Sequence, residues 1–445
     1  MKKFLNIFRR RTPRKKSSSR RKSSRKSSSR RSSSRRKSSS RRSSSLIKSP
    51  IQRRMFRYDC DDCKNYDNCP KMIEKVEKIK KNILNTMFVG CWGVYCKKGE
   101  SIERKYKEDK KKSIKKKEET VEYGGGIASD LMGEYSKNKN IDCVILGGDN
   151  VYSTLIDFIP ANYEELPQYK IKSHDILKQL EEGYIKCYKK KIKTNKFLVG
   201  VGNHDITSCD ILNEQMHFYK DDSKWNLFGL SYIYSYILTD NTKINLIFID
   251  TNMYDKDANY CQGSYTSDHK VIQDEWLGKV LSENDDNWNI VIGHIPFVCN
   301  LRKCSDVINI EDLTNNIEDL TNNDLLGLLS KYHKYIDLYM CADEHNQQYI
   351  EYNNDGVSIK QVISGTGGAP LDTELHCALD YASKYKGAFI EGTQFFRSGF
   401  GFVSMDIDYD EINLEFHIDN TDRGTTYYKE IYNEPLLYTI NRKRL

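Results

Sequence analysis

The sequence predicts an α/β protein, and three observations predict it. From Thr86 onward short apolar runs recur, each run stops abruptly in glycine and polar residues, and helical stretches separate one run from the next. The runs are MFVG at 87–90, CVILGG at 143–148, KFLVGVG at 196–202, NIVIG at 289–293 and YIDLYMCA at 335–342. Each is apolar without alternation, which is the pattern of a strand covered on both faces. Helical spacing over 127–137, 173–187, 273–283 and 324–334 supplies the covering layers. In such sheets functional residues gather in the loops beyond the carboxyl ends of the strands.

Upstream of this body the composition changes. Residues 1–59 carry 24 Lys or Arg against one acid, Asp59, whereas the remaining chain carries 47 basic and 61 acidic residues. A basic arm of charge +23 therefore precedes an acidic body of charge −14. Residues 17–45 repeat Ser-Ser-Ser-Arg-Arg with occasional Lys. With no apolar side chains to bury, nothing offsets the entropy of ordering them, so the arm is expected to be disordered. Residues 60–84 read as a linker with a short helix from about Lys71 to Ile83, and 85–445 as the folded domain. The Lys-rich insertion 97–120 is expected as a solvated loop, and the duplication IEDLTNN-IEDLTNN at 310–323 as a surface segment.

Several classes are excluded. No apolar run approaches the ~20 residues of a membrane-spanning helix. The start, Met1 to Phe8, is too short for a secretory leader. The thirteen cysteines are odd in number and irregularly spaced, so they are expected to be mostly reduced thiols, Cys96, Cys143, Cys299 and Cys304 among them. An intracellular place follows as the expectation: cytoplasm, nucleus or a virus particle. Cys60, Cys63 and Cys69 lack a fourth ligand at zinc-site spacing.

The residues after the runs carry the chemistry. They are Gly90-Cys91-Trp92-Gly93, Gly148-Asp149-Asn150-Val151-Tyr152, Gly202-Asn203-His204-Asp205, Gly293-His294-Ile295-Pro296 and Ala342-Asp343-Glu344-His345-Asn346-Gln347. Two metal ions held close together need a bridging carboxylate with terminal oxygen and imidazole ligands. Asp149, Asn203, His294, Asp343 and His345 supply that inventory, and five loops from one sheet edge would gather them. Trp92 reads as packing.

These five segments, read as GCWG, GDNVY, GNHD, GHIP and ADEHNQQ, resemble the motifs of the calcineurin-like metallophosphoesterases. Within them they resemble the purple acid phosphatases of the tartrate-resistant type, marked by GDWG, GDNxY, GNHD, GHxP and GHDHxxQ. Tyr152 is the discriminating residue, and weaker echoes lie at 223–235, at FIDT 248–251 and at SGTGG 364–368. The resemblance spans about residues 86–433 and implies a four-layer α/β/β/α sandwich. It also implies two metal ions, iron plus a divalent ion (zinc, manganese or iron). Asp149 would bridge them, Tyr152 and His345 would serve the first, and Asn203 and His294 the second. His204 would contact the phosphate and assist the leaving group. The implied reaction is hydrolysis of phosphomonoesters by a metal-bound hydroxide.

Two positions depart from that pattern. Cys91 stands where the first ion's aspartate belongs, and Asp343 stands where a histidine of the second belongs. A thiolate softens the first site toward zinc or ferrous iron, and a carboxylate hardens the second. The alternative reading is therefore a catalytically impaired binding module tethered by its arm. Arg20, Arg21, Arg30, Arg31, Arg35, Arg36, Arg41 and Arg42 lead the arm's charge, which suits nucleic acid or another polyanion bound through nonspecific, salt-dependent contacts. The arm also resembles the Arg/Ser tracts of splicing-type proteins, where serine phosphorylation would cancel that charge.

Overall fold

A computed structural model describes residues 72–94, 96, 101–104, 119–122, 124–152, 173–254, 267–283, 287–300, 322–371, 392–419 and 437–442. The Arg/Ser arm, Cys60, Cys63, Cys69 and the duplication lie outside these residues.

In chain order the strands are β1 (Ile73–Lys78), β2 (Leu84–Val89), β3 (Ser101–Arg104), β4 (Glu119–Glu122), β5 (Cys143–Leu146) and β6 (Phe197–Val199). There follow β7 (Trp225–Asn226), β8 (Tyr232–Ile237), β9 (Lys243–Phe248), β10 (Trp288–Ile292), β11 (Leu338–Cys341) and β12 (Gln347–Asn354). The last are β13 (Val357–Ser364), β14 (Thr393–Arg397), β15 (Gly401–Ile407), β16 (Glu411–Ile418) and β17 (Leu437–Asn441). The helices are α1 (Gly125–Asn138), α2 (Ser173–Leu180), α3 (Cys209–Asp221), α4 (Ser267–Ser282) and α5 (Asn323–Lys331); α2 runs on into a π-helical stretch, Glu181–Lys189.

The strands form two large sheets, in the orders β1-β8-β9-β10-β11-β13-β12-β14 and β17-β16-β15-β2-β5-β6-β7. Strands β2, β5, β6 and β7 run parallel, as do β9, β10, β11 and β13, so both sheets present carboxyl ends at one place. Alternation along each strand builds the layers. Phe88, Ile145 and Leu198 point inward with Phe248, Ile290, Ile292 and Met340 to form the core between the sheets. Their neighbours Met87, Val89, Val144 and Leu146 point outward against Met132 of α1 and Tyr184 and Tyr188 of the π-helical stretch. On the far side Val291 and Tyr339 meet Leu277 and Leu281 of α4 and Leu325 and Leu329 of α5. The expected four-layer α/β/β/α arrangement is therefore what forms.

Local chemistry sets the helix ends. The Asn322 side chain accepts from Leu325 N at 3.1 Å and starts α5, which buries Leu325, Leu328 and Leu329 on one face. Gly183 lets the π-helical stretch approach the loop after β2, since a Cβ there would lie 3.0 Å from the Val94 carbonyl.

Four expectations are corrected. The short helix expected over 71–83 is instead β1, an edge strand pairing in parallel with β8 from Ile73–Tyr232 to Lys78–Ile237. The spacing Ile73, Val76, Ile79 has helical period, but the backbone hydrogen bonds offered by β8 at an open sheet edge override it. The insertion 97–120 is not wholly loop, because β3 pairs with β4 as a two-stranded sheet. Cys96 is not a reduced thiol but joins Cys187 in a disulfide, while Cys91, Cys143, Cys299 and Cys341 stand outside any disulfide. Finally, the five motif loops come from both sheets rather than from one edge. Among the described residues no helix is long and apolar enough to cross a membrane.

Candidate metal centre

Three of the motif loops leave β2, β5 and β6, and two leave β10 and β11. Backbone hydrogen bonds tie loops of the same sheet together: Cys91 N donates to Gly148 O at 3.0 Å, Gly93 N to Asp149 O at 2.9 Å, and Ala342 N to His294 O at 2.8 Å. Other bonds cross between sheets. Gly90 N donates to Ser364 O at 2.9 Å, and Gly367 N and Ala369 N donate back to Gly90 O and Cys91 O at 3.0 and 2.9 Å. The SGTGG segment after β13 is thus the clamp that fixes the Cys91 loop. The approach needs glycine, because a Cβ on Gly90 would lie 2.2 Å from the Ala342 Cβ.

Three motif residues hold left-handed backbone: Cys91 at φ 53°, Asp149 at φ 57° and Asp343 at φ 62°. Each non-glycine residue there costs about 1–2 kcal/mol. Such strain, held at one place in three loops, marks a functional site.

The side chains converge. One donor atom each from Cys91, Asp149 and His294 lies within 4.8 Å of the other two, and all three residues are buried. His294 Nε2 stands 3.3 Å from Asp149 Oδ1 and 3.6 Å from Asp343 Oδ1. Tyr152 Oη donates to Asp149 Oδ2 at 2.9 Å. His204 N donates to Asp149 Oδ1 at 3.2 Å and to Asn203 Oδ1 at 3.1 Å, and the His204 ring lies 4.5 Å from that of Tyr152. His345 Nδ1 is 2.6 Å from Pro370 O. A carbonyl only accepts, so this nitrogen carries the proton and Nε2 is the one left to coordinate.

The same logic applies to His294, whose Nδ1 meets Gly147 O at 2.8 Å. Its Nε2 is buried without a hydrogen-bond partner. An imidazole nitrogen fixed by a carbonyl on its far side and facing carboxylates is the arrangement of a metal ligand. The cradle is also shaped for small atoms only: a Cβ on Gly202 would lie 2.2 Å from Asp149 Oδ1 and 2.8 Å from His294 Cε1. The donor set and its orphaned nitrogen fit a cation.

Electrostatics agree. Burial alone would raise the Asp149 carboxyl, but positive charge on His294 and His204 outweighs it and holds the group below the carboxylate range. Burial would lower the His294 imidazole, and the Asp149 and Asp343 charges instead raise it well above its ordinary value. Burial, then the Asp149 and Asp343 charges, push the Cys91 thiol well up. Burial lowers His204 despite Asp149.

Sequence reading missed the supports. Asp205, buried, accepts from Asn150 N, Asn150 Nδ2, Val151 N, Gly202 N and Gln215 Nε2 at 2.8–3.1 Å, and so locks the second motif loop to the third. Thr251 Oγ1 accepts from His294 N and Ile295 N, both at 2.9 Å. Each is the last residue of a motif already quoted, GNHD and FIDT, which was the available signal. Trp92 is packing, edge-on to Tyr184, Tyr188 and Trp225, but its Nε1 also donates to Asn150 Oδ1 at 3.0 Å. The eight arm arginines lie outside the described residues.

Comparison with known proteins adds the following. No curated protein matches the chain. Similar solved structures include GAP50, the anchor in the inner membrane complex of Plasmodium, at 17% identity and TM-score 0.49, covering 82% of this chain and 90% of that one. A purple acid phosphatase from yellow lupin seeds is 14% identical with TM-score 0.45, over 82% of this chain and 54% of that one. PhoD is 11% identical with TM-score 0.43, over 76% and 66%. The family model described as calcineurin-like phosphoesterase matches residues 84–347, more than half of the chain and all five motif loops. The chain belongs to the calcineurin-like phosphoesterase family.

Proposed function

We propose that this protein is a metal-dependent phosphomonoesterase of the purple acid phosphatase kind, close to the tartrate-resistant type. The observation that carries the reading is the buried, unpartnered Nε2 of His294 facing Asp149 and Asp343. Calcineurin-like phosphoesterases use a dinuclear metal centre. Here Cys91, Asp149, Tyr152, Asn203, His294, Asp343 and His345 would hold the ions, with Asp149 shared. When bound, such ions depress the pKa of water and neutralise phosphate charge.

The chain's own residues do the rest. The Asp205 carboxylate and the Thr251 hydroxyl fix the loops that carry Asp149, His204 and His294, so the pocket is set before substrate arrives. His204, half-buried against the Tyr152 ring, would hydrogen-bond a phosphate oxygen and hand a proton to the leaving alkoxide. Tyr152 orients Asp149 by donating to Oδ2, leaving Oδ1 toward His294.

A second reading rests on the Cys91 and Asp343 replacements. In it the fold is retained for binding, and the Arg/Ser arm docks on nucleic acid or another polyanion. One experiment separates the two: metal content of the full chain by elemental mass spectrometry, with turnover on an aryl phosphate and on a bis-aryl phosphate. Bound metal with monoester turnover lost in Asp149→Asn supports the first reading, while turnover of the diester alone selects phosphodiester hydrolysis. No metal and no turnover after loading with iron, zinc or manganese would sink it in favour of the binding module.

A further inference from the structure

We propose that the tightest metal site of this chain is a mixed sulfur, oxygen and nitrogen site for a borderline-soft divalent ion of the zinc type, with Cys91 Sγ, a carboxylate oxygen of Asp149 and His294 Nε2 as three of its donors. The inference rests on the metal-binding reading of the pocket; it replaces the hard ferric ion that the family resemblance implies for the Cys91 side, and it brings to that side His294, which the resemblance gives to the other ion.

Geometry comes first. The three donors already lie within 4.8 Å of one another, and this is the cluster of its kind among the described residues. A tetrahedral zinc ion with sulfur at ~2.3 Å and nitrogen or oxygen at ~2.0 Å spaces its donors about 3.3–3.5 Å apart. A small inward settling of three side chains closes that gap. Asp343 Oδ1 lies 3.6 Å from His294 Nε2, on the rim of this group.

The backbone supports a ligand role for Cys91 rather than simple packing. Cys143, Cys299 and Cys341 are also buried thiols, yet only Cys91 takes a left-handed φ. That conformation is held from both sheets, by Cys91 N on Gly148 O and Ala369 N on Cys91 O. A packing thiol needs no such conformation, whereas a short ligand that must reach as far as aspartate would does. The sulfur's surroundings, Val94, Tyr152, Ala342 and Ala369, exclude solvent. An ion there would draw donors from the ends of β2, β5 and β10. On binding, the Cys91 thiol proton leaves to solvent as the sulfur–metal bond forms. Thiolate with imidazole and carboxylate suits zinc-type ions over magnesium, manganese or ferric iron.

The test is an anaerobic titration of the chelator-stripped full chain with cobalt(II), followed in the near ultraviolet. The first equivalent should bring a thiolate-to-cobalt charge-transfer band, and zinc should displace it. Cys91→Ser should remove the band and weaken zinc binding by at least roughly tenfold. The Cys60→Ser, Cys63→Ser, Cys69→Ser triple variant should keep it. If Cys91→Ser does not fold, Cys91→Asp should bind without the band and shift preference toward manganese. Cobalt bound with no band, or a band that survives loss of Cys91, overturns the inference and leaves the phosphoesterase reading standing. Failure of the wild-type chain to retain cobalt or zinc overturns both.

Discussion

His294 and Asp149 belong to different sheets, yet His294 Nε2 lies 3.3 Å from Asp149 Oδ1, held there by the bond from Nδ1 to the Gly147 carbonyl. The two halves of the sandwich thus meet where this imidazole nitrogen faces the carboxylate. An ion bound between them stabilises the folded state by mass action, about 2.7 kcal/mol at a hundredfold excess over its Kd. Thermal melts of the full chain should therefore rise with added zinc and fall back with chelator. In His294→Ala the ion-dependent part should vanish.

His204 is held below its ordinary imidazole range chiefly by burial, so its protonated form is favoured only toward acid pH. If it protonates the leaving group, kcat should climb toward acid pH. His204→Gln should flatten that climb and reduce kcat by about 10²-fold or more, most for poor leaving groups. Steady-state kinetics on two aryl phosphates of different leaving-group pKa decide it.

Gly202→Ala should damage the pocket more than the fold. The added methyl would sit 2.2 Å from Asp149 Oδ1 and 2.8 Å from His294 Cε1, atoms that cannot retreat without breaking the Gly147 and Tyr152 bonds. The expected result is an overpacking cost of ~1–3 kcal/mol in denaturant melts, with metal retention lost. Normal metal content in this variant would contradict the described cradle.

His417 predicts a pH dependence remote from the site. It stacks on Phe402, bonds Ser404 Oγ at 2.9 Å through Nε2, and has Glu415 Oε2 at 3.6 Å. Burial, then the charge of Lys139, push it down to about 4. The unfolded chain takes up this proton near pH 6.5 and the folded chain only near 4. Stability is thus fully present above about pH 6.5 and is lost as the pH falls toward 4, by up to ~3 kcal/mol. His417→Gln, which keeps a partner for Ser404, should remove that slope in urea melts across this range.

Much of the fold was legible because parallel strands buried on both faces leave continuous apolar runs, and glycine marks where their ends crowd: Gly90 against Ala342, Gly202 against Asp149. The motif residues were legible as a set, and the structure brings Cys91, Asp149, Tyr152, His204, His294 and Asp343 into one pocket. What was not legible depends on partners far along the chain. Strand β1 has helical spacing and becomes a strand because β8, over 150 residues on, offers it an edge. The assignment of loops to two sheets depends on β15 closing beside β2 and β13 beside β11. Asp205 reads as one more surface acid until its five N–H donors are seen.

The bond between Cys96 and Cys187 spans 91 residues and makes that stretch a covalent ring. Asp149 and Tyr152 ride on the ring, while Cys91 lies just outside it. A protease cut at any one peptide bond inside the ring would therefore release no fragment. Both severed ends would stay on the same molecule, and Asp149 would keep a covalent path to the rest of the chain through whichever end of the ring the cut has left joined to it.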